Sequence, residues 1–280
     1  MNTLNPLDYP FVQPAGSFIW RQAGEEALGA DQELSHITAG RHAIVAVGSN
    51  SSPARLARKF SGKDWAAGED GIIPVTRAEV GGVDVVYSAH LASYGAVPAT
   101  VAPSDGTRVD VFITWLTDAQ LARMNDTEGL GARYQLCHLD DVRCAGRQIH
   151  GALGYASVAG PLRLDGEMVA LSTVSATGRR CADMDQRQLW DELARRMGIE
   201  SGLRLFGLTQ RAGEVRAAVA GYILECSMPM LRNTPVLEGC RRQPERFIHN
   251  RGHPVRQDKR RESLHPVERC FPGDTYEPSR

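Results

Sequence analysis

Residues 116–136 read LTDAQLARMNDTEGLGARYQL. Leu121 and Met124 lie three apart on one face of a helical period, and Glu128 continues that face four residues later. Thr117 with Gln120 makes a capping-box pattern, so the spacing predicts a helix beginning at Asp118. Gly129 suits the left-handed position that ends a helix. An acid therefore stands at the end of an apolar stripe, in the last turn, where the helix dipole and partial burial both disfavour its ionised form. A carboxylate tuned that way can exchange protons near neutral pH. The ordinary alternative is a glutamate that turns into water.

The predicted helix sits between strand-like runs, and this decides an α+β class. Before it, VDVFITW places Val109, Val111, Ile113 and Trp115 on one face and Asp110, Phe112 and Thr114 on the other. Because Phe112 is apolar too, cover is expected on both faces. GVDVVYSA, VPATVAP, RYQLCHL and QIHGALGYAS are further short β-like runs, with PSDG and CAGR as turn-forming separators. Upstream, HAIVAVGSN reads as a buried strand over Ala43–Val47 that runs into the turn Gly48-Ser49-Asn50. Pro53 then marks a helix start that Ser51 or Ser52 could cap. Successive N–H groups in such a turn form a cradle for a carboxylate or an oxyanion.

The chain has 280 residues, is 42% apolar and 23% charged, and carries a formal charge of −1, as ordinary globular proteins do. That balance argues against nucleic-acid binding by charge, which needs a basic excess. No apolar run reaches membrane-helix length, and the N-terminus lacks the pattern of a signal peptide, so no membrane contact and a cytoplasmic location are expected. The six cysteines include no Cys-x-x-Cys pair; they read as free, mostly buried thiols, with no metal site.

The order GSNxxPxxL (48–56), then YGAVPATVAPSDGTRVDVFITWLT (94–117), then LxxMNDTEG (121–129) with a tyrosine soon after resembles the gamma-glutamylcyclotransferase-like (AIG2-like) family over roughly residues 42–175. The resemblance implies a small mixed β-barrel flanked by helices. It implies that Glu128 is the general acid/base, that Gly48, Ser49 and Asn50 hold the glutamyl part of a substrate, and that Tyr134 and Tyr155 complete the pocket. The implied reaction cyclises a gamma-glutamyl amine to 5-oxoproline, without metal or cofactor. One departure stands out: where the family loop begins with tyrosine, this chain has Val47.

Outside that region, residues 1–40 read as an extended arm, with a short helix possible around Ala23–Ala30. The barrel domain is expected over 41–180 and a helical extension over 181–235, where DMDQRQLWDELARRMGI and GEVRAAVAGYILECSM have helical spacing and Asp183 or Asp185 can cap. From Gly239 on, ten Lys/Arg against six Asp/Glu give a local excess of +4, read with 236–280 as a basic irregular arm that could serve a protein partner or self-association. Two rival readings of function follow. Ser49 or Ser88 could act as a nucleophile with His90 as base, although neither serine lies in a G-x-S-x-G elbow. Alternatively, an inactive barrel could bind a ligand or a protein.

Overall fold

A computed structural model describes residues 4–29, 34–61 and 71–227. The basic arm expected over 236–280 lies outside the described residues. The strands are β1 (Phe18–Arg21), β2 (Gly24–Ala27), β3 (His42–Ala46), β4 (Ile72–Tyr87), β5 (Ala99–Leu116), β6 (Tyr134–His138), β7 (Val142–Cys144), β8 (Arg147–Gln148), β9 (Leu153–Ser157), β10 (Arg163–Leu164), β11 (Glu167–Met168), β12 (Ala170–Leu171), β13 (Ala176–Thr177) and β14 (Asp183–Met184). The helices are α1 (Leu34–Thr38), α2 (Pro53–Lys59), α3 (Asp118–Glu128), α4 (Gln186–Arg196), α5 (Gly202–Arg211) and α6 (Gly213–Glu225).

The class is α+β, as expected, but the architecture corrects the barrel. The main hydrogen-bonded path runs β14-β12-β4-β5-β3-β9-β6 and has two ends, so the described strands form a large open mixed sheet. The pairs β3/β9 and β12/β14 are parallel, while the others on the path are antiparallel. The physical reason lies in β4 and β5, of 16 and 18 residues, which are far longer than the usual strand of about 5–6. The outer edge of β4 is shared among β1, β7 and β12 instead of closing on β6. PSDG, expected to separate two strands, lies inside β5. Gly81 pairs with Arg108 and Val83 with Pro103, so residues 104–107 bulge opposite Gly82.

Alternation along β3 and β5 feeds two cores. Ala43, Val45, Val109, Val111 and Ile113 face one, shared with Leu189, Trp190, Leu193, Leu205 and Val219 of the C-terminal helices. Ile44, Ala46, Phe112 and Leu116 face the other, with Leu56 and Phe60 of α2 or its end and Leu121 and Met124 of α3. Cover on both faces at Phe112 is therefore observed. The residues expected as an N-terminal arm include Leu7, Tyr9 and Phe11, all buried in the first core. A helix was considered around Ala23–Ala30; of the described residues, 18–27 form the β1–β2 hairpin instead.

Of the capping signals, Asp185 with Gln188 forms a full capping box at α4. Helix α5 had no counterpart in the sequence reading. Cys144, Cys181 and Cys226 are free thiols, whereas Cys137 is disulfide-bonded and departs from the expectation. Away from the site, the fully buried Asp84 receives Nε and Nη2 of Arg179 at 3.0 and 2.9 Å, tying β4 to the 174–183 segment. No described helix is long and apolar enough to cross a membrane.

Candidate functional site

Strand β3 delivers the chain to Gly48, after which Ser49–Ser51 form a 3-10 turn and Pro53 opens α2 at its first position. The expected serine caps are not made. Ser51 Oγ donates to the Gly48 carbonyl at 3.2 Å, and Ser52 Oγ is buried without a partner. Ser52 N donates to the Ser49 carbonyl at 3.0 Å, while the first N–H groups of such a turn have no carbonyl partner within it. Gly48 itself is required by a close approach, because a Cβ there would collide with the phenol oxygen of Tyr9. Gln13 Nε2 donates to the Gly48 carbonyl at 3.1 Å, so the N-terminal segment backs the turn from behind.

Helix α3 forms as its spacing predicts. Thr117 and Gln120 make the complete capping box, and Gly129 ends the helix at φ 69°, ψ 51°. Leu121 and Met124 are buried, and Glu128 on the same face is partly covered. What faces Glu128 is Lys59, 3% exposed at the end of α2, whose Nζ donates to Glu128 Oε1 in a short ion pair and to Met124 Sδ at 3.3 Å. Arg123 Nε donates to the Lys59 carbonyl at 2.8 Å and ties the two helices together. Burial pushes the Lys59 ammonium pKa down, and the Glu128 carboxylate opposes that shift. Oε2 of Glu128 makes no hydrogen bond among the described residues.

The expected residues come together. Gly48, Ser49, Asn50, Glu128, Tyr134 and Tyr155 all line one cleft of about 60 Å³. Tyr134 Oη donates to the Ala99 carbonyl at 3.2 Å, and Tyr155 Oη donates to Asn125 Oδ1 at 2.6 Å. Both hydroxyls are thus committed to the protein, and both rings form walls. The sequence reading missed Tyr9, Tyr94, Arg55 and Arg133, which line the same cleft, and Lys59 behind it. Tyr9 Oη accepts from Ala99 N at 2.8 Å, which leaves its own proton for another acceptor. Burial, before any other cause, pushes the phenols of Tyr9, Tyr94, Tyr134 and Tyr155 up, so all four stay protonated at neutral pH.

Lys59 did have a signal in the sequence. Leu56, Lys59 and Phe60 share one helical face by the spacing that singled out Glu128. Tyr9 had none, since no periodicity links a proline-flanked segment to a turn forty residues away.

Two guanidiniums, the half-buried Arg55 and the exposed Arg133, stand against the single carboxylate of the lining, so the cleft suits an anionic group. Arg55 Cζ lies 4.8 Å from the centre of the Tyr94 ring. Arg55 Nε and Asn50 Oδ1 are buried and have no hydrogen-bond partner. Both atoms belong to residues of the cleft lining, and a buried polar atom normally finds a partner. Among the described residues, no group of three or more His, Cys, Asp or Glu is placed to hold a metal.

No family model matches the chain, and no curated protein matches it. Among solved structures, the chain is similar to YkqA from Bacillus subtilis at 14% identity, over 51% of this chain and 57% of that one, with a TM-score of 0.30. The match spans little more than half of YkqA, and a likeness this low carries no argument about fold or activity.

Proposed function

We propose that this chain is a gamma-glutamylcyclotransferase-like enzyme that cyclises a gamma-glutamyl amine to 5-oxoproline and releases the amine. The observation that carries the proposal is the shared cleft: Glu128 at the end of α3 and the Gly48–Asn50 turn at the end of β3 line it together. In the proposed reaction the substrate's α-amine attacks its own γ-carbonyl and closes a five-membered lactam. Glu128 Oε2 takes a proton from the attacking nitrogen and returns it to the leaving nitrogen as the old C–N bond breaks. Lys59 holds Oε1 and so orients the carboxylate. The turn and Arg55 hold the substrate's carboxylate and keep the chain folded for attack, which is where most of the acceleration arises. A volume of about 60 Å³ has room for roughly four to six waters, the scale of a small polar head group.

The chemistry uses no cofactor, and the proposal places the enzyme in the cytoplasm with a small-molecule partner. Glu128→Gln leaves the buried Lys59 ammonium without its counter-charge and is expected to lower stability by up to about 3–5 kcal/mol, and the protein that remains folded is expected to release no 5-oxoproline from a panel of gamma-glutamyl amines. Undiminished turnover in that variant would remove the assignment.

One observation favours a second reading, a catalytically inactive ligand-binding module. Glu128 is engaged by a buried ammonium, and an ion pair of that kind holds a group still. Saturable binding of gamma-glutamyl compounds by wild-type protein, with no 5-oxoproline from any of them, would select it.

A further inference from the structure

His90 lines the cleft with Glu128, and its ring meets Tyr134 edge-on at 5.5 Å. Its Nδ1 is 2.7 Å from Oγ of the fully buried Ser88. Ser88 has a single proton, and it donates that proton to Ser157 Oγ at 2.6 Å. Ser157 Oγ also accepts from Ala159 N at 3.2 Å. With the serine proton spent, the bond between Ser88 and His90 needs a proton from the ring, so Nδ1 carries it. The lone pair of a neutral imidazole then lies on Nε2, on the side of the ring away from Ser88. Nε2 has no hydrogen bond among the described residues.

We propose that His90 is a ligand-contacting residue, held as the Nδ1–H tautomer by the Ser88–Ser157 chain so that Nε2 accepts a hydrogen bond from the amine of the bound gamma-glutamyl group. The assignment rests on the reading of the cleft as a gamma-glutamyl site. It reverses the roles of a serine–histidine catalytic pair: Ser88 is fully buried and spends its proton elsewhere, so it orients the ring and does not attack. Burial, reinforced by Arg133 and opposed by Glu128, pushes the His90 pKa down to about 4, which keeps the ring neutral at physiological pH. A neutral acceptor there complements Arg55: the guanidinium takes the carboxylate of an amino-acid head, and His90 Nε2 takes its amine.

The test is a two-bond proton–nitrogen correlation spectrum of the histidine rings in the full chain, with His90 assigned by its loss in His90→Asn. At neutral pH the expected signal is a protonated Nδ1 and a bare Nε2. L-glutamate, used as the probe, is expected to shift the Nε2 resonance. His90→Leu is expected to bind L-glutamate about tenfold more weakly, the size of one lost hydrogen bond, and His90→Gln, which keeps an acceptor, is expected to recover part of that. An Nε2–H tautomer, an imidazolium at pH 7, an Nε2 resonance unmoved by L-glutamate, or unchanged affinity in folded His90→Leu would each overturn the assignment. If Nε2 responds while no gamma-glutamyl amine yields 5-oxoproline, the reaction fails and the assignment of His90 stands.

Discussion

Lys59 of α2 donates to Glu128 of α3, and each reaches the other from the apolar face of its own helix. Leu56, Lys59 and Phe60 on one helix mirror Leu121, Met124 and Glu128 on the other, so the charged pair closes the end of an apolar helix–helix contact. An acid on a buried stripe is stable there because a base occupies the matching stripe. The arrangement leaves Oε2 of a cleft-lining residue without a hydrogen bond among the described residues.

Lys59→Met removes the counter-charge and keeps most of the volume. Losing one partner of a buried pair costs about 3–5 kcal/mol, and partial exposure of Glu128 puts this case at the lower end. Urea unfolding at pH 7 is expected to show that loss, and kcat to fall more than KM rises because the oriented carboxylate is released. A variant as stable as wild type would mean that the pair contributes nothing.

Arg55→Gln tests the anionic half of the cleft. A charge-assisted hydrogen bond accounts for roughly 1.5–3 kcal/mol, so KM for a gamma-glutamyl substrate is expected to rise about ten- to hundredfold. The change in kcat is expected to be smaller, since in the proposed reaction Arg55 holds the carboxylate and exchanges no proton. A fall in kcat alone would refute this division of labour.

Gly48→Ala drives a methyl group into the phenol oxygen of Tyr9 and is expected to destabilise the protein by about 1–3 kcal/mol, as overpacking does. Tyr9→Phe also destabilises, because Ala99 N loses its acceptor. Together the two changes are expected to cost less than their sum, since phenylalanine lacks the atom with which the methyl group collides. Strict additivity in a double-mutant cycle would show that the N-terminal segment and the turn are not in contact.

His90 sets an acid limit on stability. Its pKa is pushed down to about 4 from an ordinary value of 6.5. As pH falls from 6.5, the unfolded chain takes up a proton that the folded chain refuses until about 4. The contribution is therefore whole above 6.5 and lost by about 4, on the order of 3 kcal/mol in all. Urea midpoints at pH 7 and pH 4.5 are expected to differ more in wild type than in His90→Asn. Equal pH dependence in the two proteins would count against a neutral buried ring.

Local physics was legible in the chain alone. The capping box at Thr117, the left-handed Gly129, the alternation along β5 and the helical spacing after Asp185 depend on residues within a few positions of one another, and each formed as read. The six residues expected at the site also line one cleft, because β3 runs parallel to β9 and β6 antiparallel to it, which brings Gly48, Tyr155 and Tyr134 toward the same end of these strands. Tertiary structure decided the rest. The sheet stays open because the outer edge of β4 pairs with three short strands, and no local signal announces such a choice among partners. The counter-ion of Glu128, the phenol of Tyr9 and the ring orientation of His90 come from segments whose separation in sequence carries no periodicity. Spacing reveals which face of an element a residue occupies, and only packing determines what that face meets.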